Sequence, residues 1–255
     1  MQALPFDWSI FMIYYNKDMF KKAGVALPPV DGKWTFNDLL ATAKHFSKSE
    51  SGHQVQWGYG GLPNDWPIFG FLEANGGKVL SSDLKQCIVN DPQNIATLEF
   101  FRDLVPKWHV APGPGELPKG AGNPFVANLT AMQMQGSWAI LAMRTQIGTH
   151  FDWDIAPLSQ GSTGKVAASA IGAAWSIGAD TKQKDMAWDC SSSLARHRPR
   201  PWRWGVALCL ETLAPIRRIA RLWSRAPSLR NITARSSMWC KRGCSLFPTF
   251  PTTIG

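Results

Sequence analysis

Residues 9–24 read SIFMIYYNKDMFKKAG, and this stretch decides the expected fold. Ser9–Tyr15 is aromatic and β-branched, which favours a buried strand. Lys17–Ala23 then predicts a short helix, and Gly24 is a natural residue to end it because glycine readily adopts a positive φ. A buried strand that leads directly into a helix indicates a layered α/β domain.

The chain up to residue 189 continues this alternation of strands and helices. Thr35 with Asp38 predicts a capped helix start, and Asp91-Pro92 predicts another, with Asp91 as the cap. The apolar face predicted for the second of these helices consists of Ile95, Leu98, Phe101 (or Arg102), Leu104 and Val105. Further strands are expected at 56–60, 131–135, 151–156 and 170–177, and further helices at 66–74, 137–147 and from 182 onward. The order predicts an α/β fold class.

Composition and charge exclude several classes of protein. The 255 residues are 45% hydrophobic and 18% charged, which excludes a disordered chain. The apolar run 9–15 is far shorter than the roughly 18 residues that a membrane span needs. The net charge of +9 is confined to the last part of the chain. Residues 1–189 hold 15 Lys+Arg against 17 Asp+Glu, whereas residues 190–255 hold 12 basic residues against Glu211 alone.

Sequence motifs for metal, nucleotide or nucleophile chemistry are missing. No histidine pair has zinc-ligand spacing, and no GxSxG, Walker A or GxGxxG segment occurs, so we expect no cofactor and no metal. Asp152 and Asp154 alternate along a predicted strand and therefore share a face. This pair leaves two alternatives open: a glycoside-acting enzyme, or the solvated edge of a strand.

Tryptophan is the most informative residue type, with nine copies before residue 190. Most tryptophans pack in cores, but three stand beside small or polar residues, in the segments 5–8 (PFDW), 64–66 (NDW) and 136–138 (GSW). An indole beside a carboxylate or amide suits a sugar, which has an apolar C–H face and a rim of hydroxyls. Covering one sugar face contributes roughly 1.5 kcal/mol, whereas micromolar binding needs about 8 kcal/mol. Hydrogen bonds would therefore have to supply much of the affinity.

Six segments, taken in order, resemble one family. The segment 3–29 (ALPFDWSIFMIYYNKDMFKKAGVALPP), followed by 34–48 (WTFNDLLATAKHFSK), resembles the extracellular solute-binding proteins of ABC sugar importers, the family that includes maltose-binding protein. The four later segments that fit the same family are 66–80 (WPIFGFLEANGGKVL), 123–140 (NPFVANLTAMQMQGSWAI), 151–162 (FDWDIAPLSQGS) and 168–189 (ASAIGAAWSIGADTKQKDMAWD). The resemblance covers about residues 3–189.

The resemblance implies a periplasmic-binding-protein type II-like fold of two α/β lobes, here incomplete, with the second lobe and part of the first. It places an interlobe crossing strand at 1–12, the second lobe at 13–155, a hinge return and first-lobe segment at 156–189, and an aberrant Arg/Cys-rich tail at 190–255. It also implies a non-enzymatic monomer that captures a carbohydrate in the interlobe cleft and delivers it to membrane permease subunits. The expected location is periplasmic or extracellular, membrane-associated through the transporter.

Family positions that line the cleft map onto eight residues. The implied ligand-binding residues are Asp7, Trp8, Asn64, Asp65, Trp66, Ser137, Trp138 and Gly172. Among them, Trp138 matches a position that commonly serves as a sugar platform, and Gly172 lies on the return strand, where the family often keeps glycine near the ligand. Packing remains the alternative role for each of the eight.

The sequence departs from the family in two places. It opens without a leader and without the first-lobe strands and helices, which predicts an N-terminally truncated product. After Asp189 the family pattern stops and arginine replaces lysine, which predicts a reading-frame shift and a fragment that does not function. The rival interpretation of the basic tail is nucleic-acid or membrane binding. Because the break in composition explains the tail without any function, we expect no nucleic-acid partner.

Overall fold

The computed structural model describes residues 4–63 and 66–196 of the chain. The strands are β1 (Leu4–Asn16), β2 (Lys48–Glu50), β3 (His53–Gly60), β4 (Thr130–Gly136), β5 (Trp153–Ala156) and β6 (Ala170–Trp175). The helices are α1 (Lys17–Ala23), α2 (Phe36–Phe46), α3 (Pro67–Ala74), α4 (Pro92–Asp103), α5 (Ile140–Ile147) and α6 (Lys184–Arg196). A single 3-10 turn over Ser137–Ala139 leads into α5.

The long strand β1 organises the sheet, whose order is β2-β3-β4-β1-β5. The second half of β1 pairs antiparallel with β4 and with β5, while its first half pairs antiparallel with β6. The Phe11 N–H donates to Ser169 C=O just before β6, and the Lys17 N–H donates to Asp152 C=O just before β5. Phe11 is in β1, Lys17 directly follows β1, and alternate residues of a strand direct their N–H groups to the same edge, so β5 and β6 follow one another along one edge of β1.

Two hydrophobic clusters cover the two faces of this sheet. Ile13 and Tyr15 point into one cluster, which also takes in side chains from α1, α2, α3 and α4. Met12 and Tyr14 point into the other cluster, which is closed by α5. Since neighbouring residues of a strand point to opposite faces, odd-numbered residues of β1 face the first cluster and even-numbered residues face the second. The sheet is thus the middle layer of an α/β architecture, as the sequence predicts.

Two predicted helix ends are confirmed in detail. Helix α1 ends at Gly24, which adopts φ 65°, the left-handed conformation that glycine tolerates best. Helix α2 begins with a reciprocal capping box, in which Thr35 and Asp38 each accept a hydrogen bond from the backbone N–H of the other. Local sequence alone is enough for both features because all the partners lie within three or four residues.

The apolar face predicted for α4 is confirmed for Phe101, Leu104 and Val105 and wrong for Ile95 and Leu98. Ile95 and Leu98 are exposed, and Asn94 and Thr97 are buried in their place, beside Phe101. The Asn94 amide donates to the carbonyls of Lys78 and Ile88, so it holds a long connecting segment against the helix. The two donated hydrogen bonds offset part of the cost of burying the amide group, while its Oδ1 is buried with no hydrogen-bond partner in the described part of the chain. The predicted cap at Asp91 is in place, but its side chain makes no capping hydrogen bond.

Within the described ranges, no helix is long and apolar enough to cross a membrane. The predicted break after Asp189 falls inside α6, which continues to Arg196. Everything predicted for the tail beyond residue 196 lies outside the described residues, as do Asn64 and Asp65.

Candidate ligand-binding site

Trp138 stands at the end of β4 as a half-exposed ring with 50% of its surface accessible. Its indole lies over Gly136, where a Cβ atom would overlap the benzo ring. On β1, Phe11 is the residue directly opposite Gly136, and its ring meets the Trp138 indole edge to face, with centroids 5.1 Å apart and planes at 86°. The indole is therefore supported by a strand and an aromatic ring while part of it remains open to solvent.

Ser137 ties the same turn to β1. Its Oγ accepts a hydrogen bond of 3.2 Å from the Ile10 N–H, at the point where β4 ends and offers no further backbone acceptor. One residue earlier, the Gly136 carbonyl accepts a hydrogen bond of 2.8 Å from the Tyr14 hydroxyl. Burial raises the pKa of Tyr14 above its ordinary value, so this hydroxyl stays a donor at neutral pH. Ser137 thus has a structural role in addition to the ligand-binding role predicted for it.

Trp66 is more exposed still, with 65% of its surface accessible, and lies directly before α3. Its carbonyl accepts a 3.1 Å hydrogen bond from the Ser169 hydroxyl. The Ser169 carbonyl in turn accepts from the Phe11 N–H at 3.1 Å. A short series of contacts therefore links Trp66 to Phe11 and, through the Phe11 ring, to Trp138.

Asp7, Trp8 and Gly172 meet where β1 pairs with β6. Trp8 is directly opposite Gly172, and a Cβ atom on Gly172 would lie 3.4 Å and 3.5 Å from two atoms of the Trp8 indole. Trp8 is 50% exposed, like Trp138. The Asp7 carboxylate accepts a 3.2 Å hydrogen bond from the Ala173 N–H, so it holds β6 in place.

Strand alternation divides the predicted residues between two faces of β1. Asp7 and Phe11 are odd-numbered and lie on the face of the first cluster, to which α3 also contributes Phe71. Trp8 is even-numbered and lies with Ile10 on the face of the second cluster. Trp138, Ser169 and Trp66 lie on the same side as Phe11, through the contacts described above. We call the set Asp7, Phe11, Trp66, Ser169 and Trp138 the odd face, after the odd-numbered residues of β1 on that side. Trp8 with Gly172 forms a separate platform on the opposite face of β1.

Sequence reasoning did not single out Ser9, Phe11 or Ser169. Ser9 is half-buried and odd-numbered, between Asp7 and Phe11 in β1. The alternation of side chains along residues 9–15 could have identified Ser9 and Phe11, because it separates the residues that share a face with Phe11 from those that share a face with Trp8. Ser169 had no local signal, since its partners lie more than 100 positions away in the chain.

The carboxylates considered for acid–base chemistry are engaged elsewhere. Asp152 forms a 2.6 Å ion pair with Lys17, and Asp154 accepts from the Ile155 N–H at 2.9 Å. The hydrogen bond to Asp152 raises the pKa of Lys17. Asp154 is opposite Tyr15, about 13 Å along the strand from Phe11 at 3.3 Å per residue. In residues 4–63 and 66–196, no cluster of three metal-ligating side chains is found.

Comparison with known families assigns the chain. The family model of the bacterial extracellular solute-binding protein matches residues 2–190. The chain belongs to this family, and the match ends one residue past the point where the composition changes. The family consists of solute-binding proteins rather than enzymes, so the enzymatic alternative for Asp152 and Asp154 is not upheld.

Solved structures agree with the predicted type II periplasmic-binding-protein fold. An ABC substrate-binding protein from Listeria monocytogenes in complex with cycloalternan is 25% identical, with a TM-score of 0.63. A solute-binding protein of an ABC transporter from Thermotoga lettingae, bound to α-D-tagatose, has the same identity and TM-score. A maltose/maltodextrin-binding domain from Bdellovibrio bacteriovorus bound to maltotriose is 18% identical, with a TM-score of 0.57, and supports the fold alone.

Each of these three alignments covers 76% of this chain. The chain spans about half the length of these solved proteins, between 48% and 49%.

Proposed function

We propose that this protein is the carbohydrate-capturing component of an ABC importer and that the odd face of β1 forms part of its sugar site. The observation that carries the proposal is the supported and half-exposed indole of Trp138. Strand register and the Ser169 contact put Asp7 and Trp66 on the same side of the sheet. The indole offers a flat apolar surface to the C–H face of a sugar, and the Asp7 carboxylate can accept hydrogen bonds from hydroxyl groups.

The wider assignment follows from the family. The sugars bound by the Listeria and Thermotoga proteins support a neutral carbohydrate as the solute here. Delivery to membrane permease subunits, action as a monomer, and a periplasmic or extracellular location are parts of the same proposal. So is the division into an interlobe crossing strand (1–12), a second lobe (13–155) and a hinge return (156–189), which the change of partners along β1 favours.

Isothermal titration of the full chain with cycloalternan, α-D-tagatose and maltotriose tests the proposal. We expect saturable binding of at least one sugar without turnover. We expect Trp138→Ala to weaken this binding about tenfold, because roughly 1.5 kcal/mol of stacking is lost. Trp188→Ala is the matched control, since Trp188 is 54% exposed but belongs to α6.

Two results would overturn the proposal. The first is the absence of heat with all three sugars for a chain that melts cooperatively. The second is equal affinity of the wild type and Trp138→Ala, which would remove the odd face from the binding site.

A further inference from the structure

The position of the Trp138 indole depends on the absence of a side chain at Gly136. A Cβ atom on Gly136 would overlap three carbon atoms of the benzo ring of Trp138. No other residue type at 136 is therefore compatible with the indole where it lies.

The backbone of Gly136 does not itself require glycine. Its φ of −79° and ψ of 160° are an ordinary extended conformation that any L-residue adopts. Its hydrogen bond to Tyr14 uses the carbonyl, which every residue has. The absence of a side chain at this position thus serves the neighbouring ring rather than the strand.

A second constraint comes from Phe11, whose ring plane lies at 86° to the indole plane with the ring centroids 5.1 Å apart. Gly136 and Phe11 are cross-strand partners, so the two surfaces against which the indole rests have a fixed separation. A side chain held in this way reaches its binding geometry before the ligand arrives, which lowers the entropic cost of binding.

From this geometry we infer that Gly136 is a positioning residue that sets the orientation of the Trp138 platform; its effect on affinity rests on the proposed sugar-binding function. The ring atoms that a methyl group at 136 would meet are the far end of a side chain rather than backbone. In Gly136→Ala, the indole should therefore rotate away while β4 keeps its register with β1.

The first measurement follows the ring itself and needs no ligand. The full chain is labelled with 5-fluorotryptophan, and the Trp138 signal is assigned by its loss in Trp138→Phe. We expect Gly136→Ala to move this signal, because the indole moves relative to Phe11 and the ring-current field at the fluorine changes. Gly178→Ala is the matched control, since a Cβ atom there meets nothing within 4 Å. An unmoved Trp138 signal in Gly136→Ala would overturn the inference.

The second measurement is a double-mutant cycle on sugar affinity and on thermal unfolding. We expect Gly136→Ala to weaken binding about tenfold in the wild-type background, by loss of the stacking contact. In the Trp138→Ala background the same change should have less than a twofold effect and no effect on the melting temperature. Equal losses in both backgrounds would show that Gly136 acts on the strand and not on the indole.

The two proposals fail in different ways. If the wild type binds none of the sugars, the proposed function fails, and the fluorine signal alone decides the role of Gly136. If the wild type binds but Trp138→Ala binds equally well, the odd face is not the site. If Trp138→Ala weakens binding and Gly136→Ala does not, the positioning role is wrong while the sugar site stands.

Discussion

Phe11 and Trp138 are 127 positions apart in the chain, yet their rings meet edge to face at 5.1 Å because β1 and β4 are neighbours in the sheet. Aromatic pairs in this geometry contribute about 0.5–1.5 kcal/mol beyond the area they bury. The contact holds the half-exposed indole of Trp138 in one orientation on the odd face. Without such a contact, an exposed tryptophan side chain would sample several rotamers.

Trp66→Ala and Trp8→Ala are expected to differ in sugar binding. Trp66 lies on the side of the sheet shared with Trp138, whereas Trp8 lies over Gly172 on the opposite face of β1. We expect Trp66→Ala to raise the dissociation constant about tenfold, the effect of one lost stacking surface. Trp8→Ala should change it less than twofold, as measured by isothermal titration. A larger effect of Trp8→Ala would mean that both faces meet the ligand around the end of the sheet.

Ser137→Ala should lower stability more than affinity. The substitution leaves the Ile10 N–H without its acceptor at the end of the β4 ladder. We expect the free energy of unfolding in urea to fall by about 1–2 kcal/mol, with the sugar dissociation constant changed less than threefold. Ser137→Thr is the control that keeps the hydroxyl. If affinity falls tenfold while stability is unchanged, Ser137 acts on the ligand directly.

Stability should fall at alkaline pH because two tyrosines are buried. Burial raises the pKa of both Tyr14 and Tyr59 above the ordinary value of 10.0. The unfolded chain therefore loses these protons at a lower pH than the folded chain, and the free energy of unfolding decreases as pH rises above about 10. Tyr14→Phe/Tyr59→Phe should flatten this decrease in urea unfolding measured between pH 8 and about 11. An unchanged slope would contradict the assignment.

Asp152→Asn and Asp154→Asn should leave sugar binding within twofold of the wild type. The two carboxylates lie at the Lys17 end of β1, where Asp152 is ion-paired in an exposed position. Exposed pairs contribute about 0–1 kcal/mol, so Asp152→Asn should also change the melting temperature little. Titration and thermal melts test both statements. Formation of a sugar product by the wild type that disappears in Asp154→Asn would restore the enzymatic alternative.

Much of the fold could be predicted from local sequence. The bounds predicted for α1 match the structure residue for residue, and the capping box of α2 is present as expected. The failure at α4 has a physical reason, because Asn94 is buried only through hydrogen bonds to carbonyls 16 and 6 positions away. Hydropathy cannot predict a polar residue whose partners come from another segment.

The candidate site depends on more than local sequence. The sequence indicated Trp8, Trp66 and Trp138 through their small or polar neighbours, and the structure places Trp8 on the face of β1 opposite to Phe11. Phe11 was read only as part of a buried strand. Its role as support for Trp138 depends on the cross-strand register, which pairs it with Gly136.

The sequence by itself determined the class of elements, their order and the family, because these follow from side-chain periodicity, caps and short segments read in sequence order. Only the tertiary structure decided which aromatic rings share a face and what holds them there. That decision depends on pairing between β1 and strands more than 100 residues away, and one step of register would move every side chain of β1 to the other face.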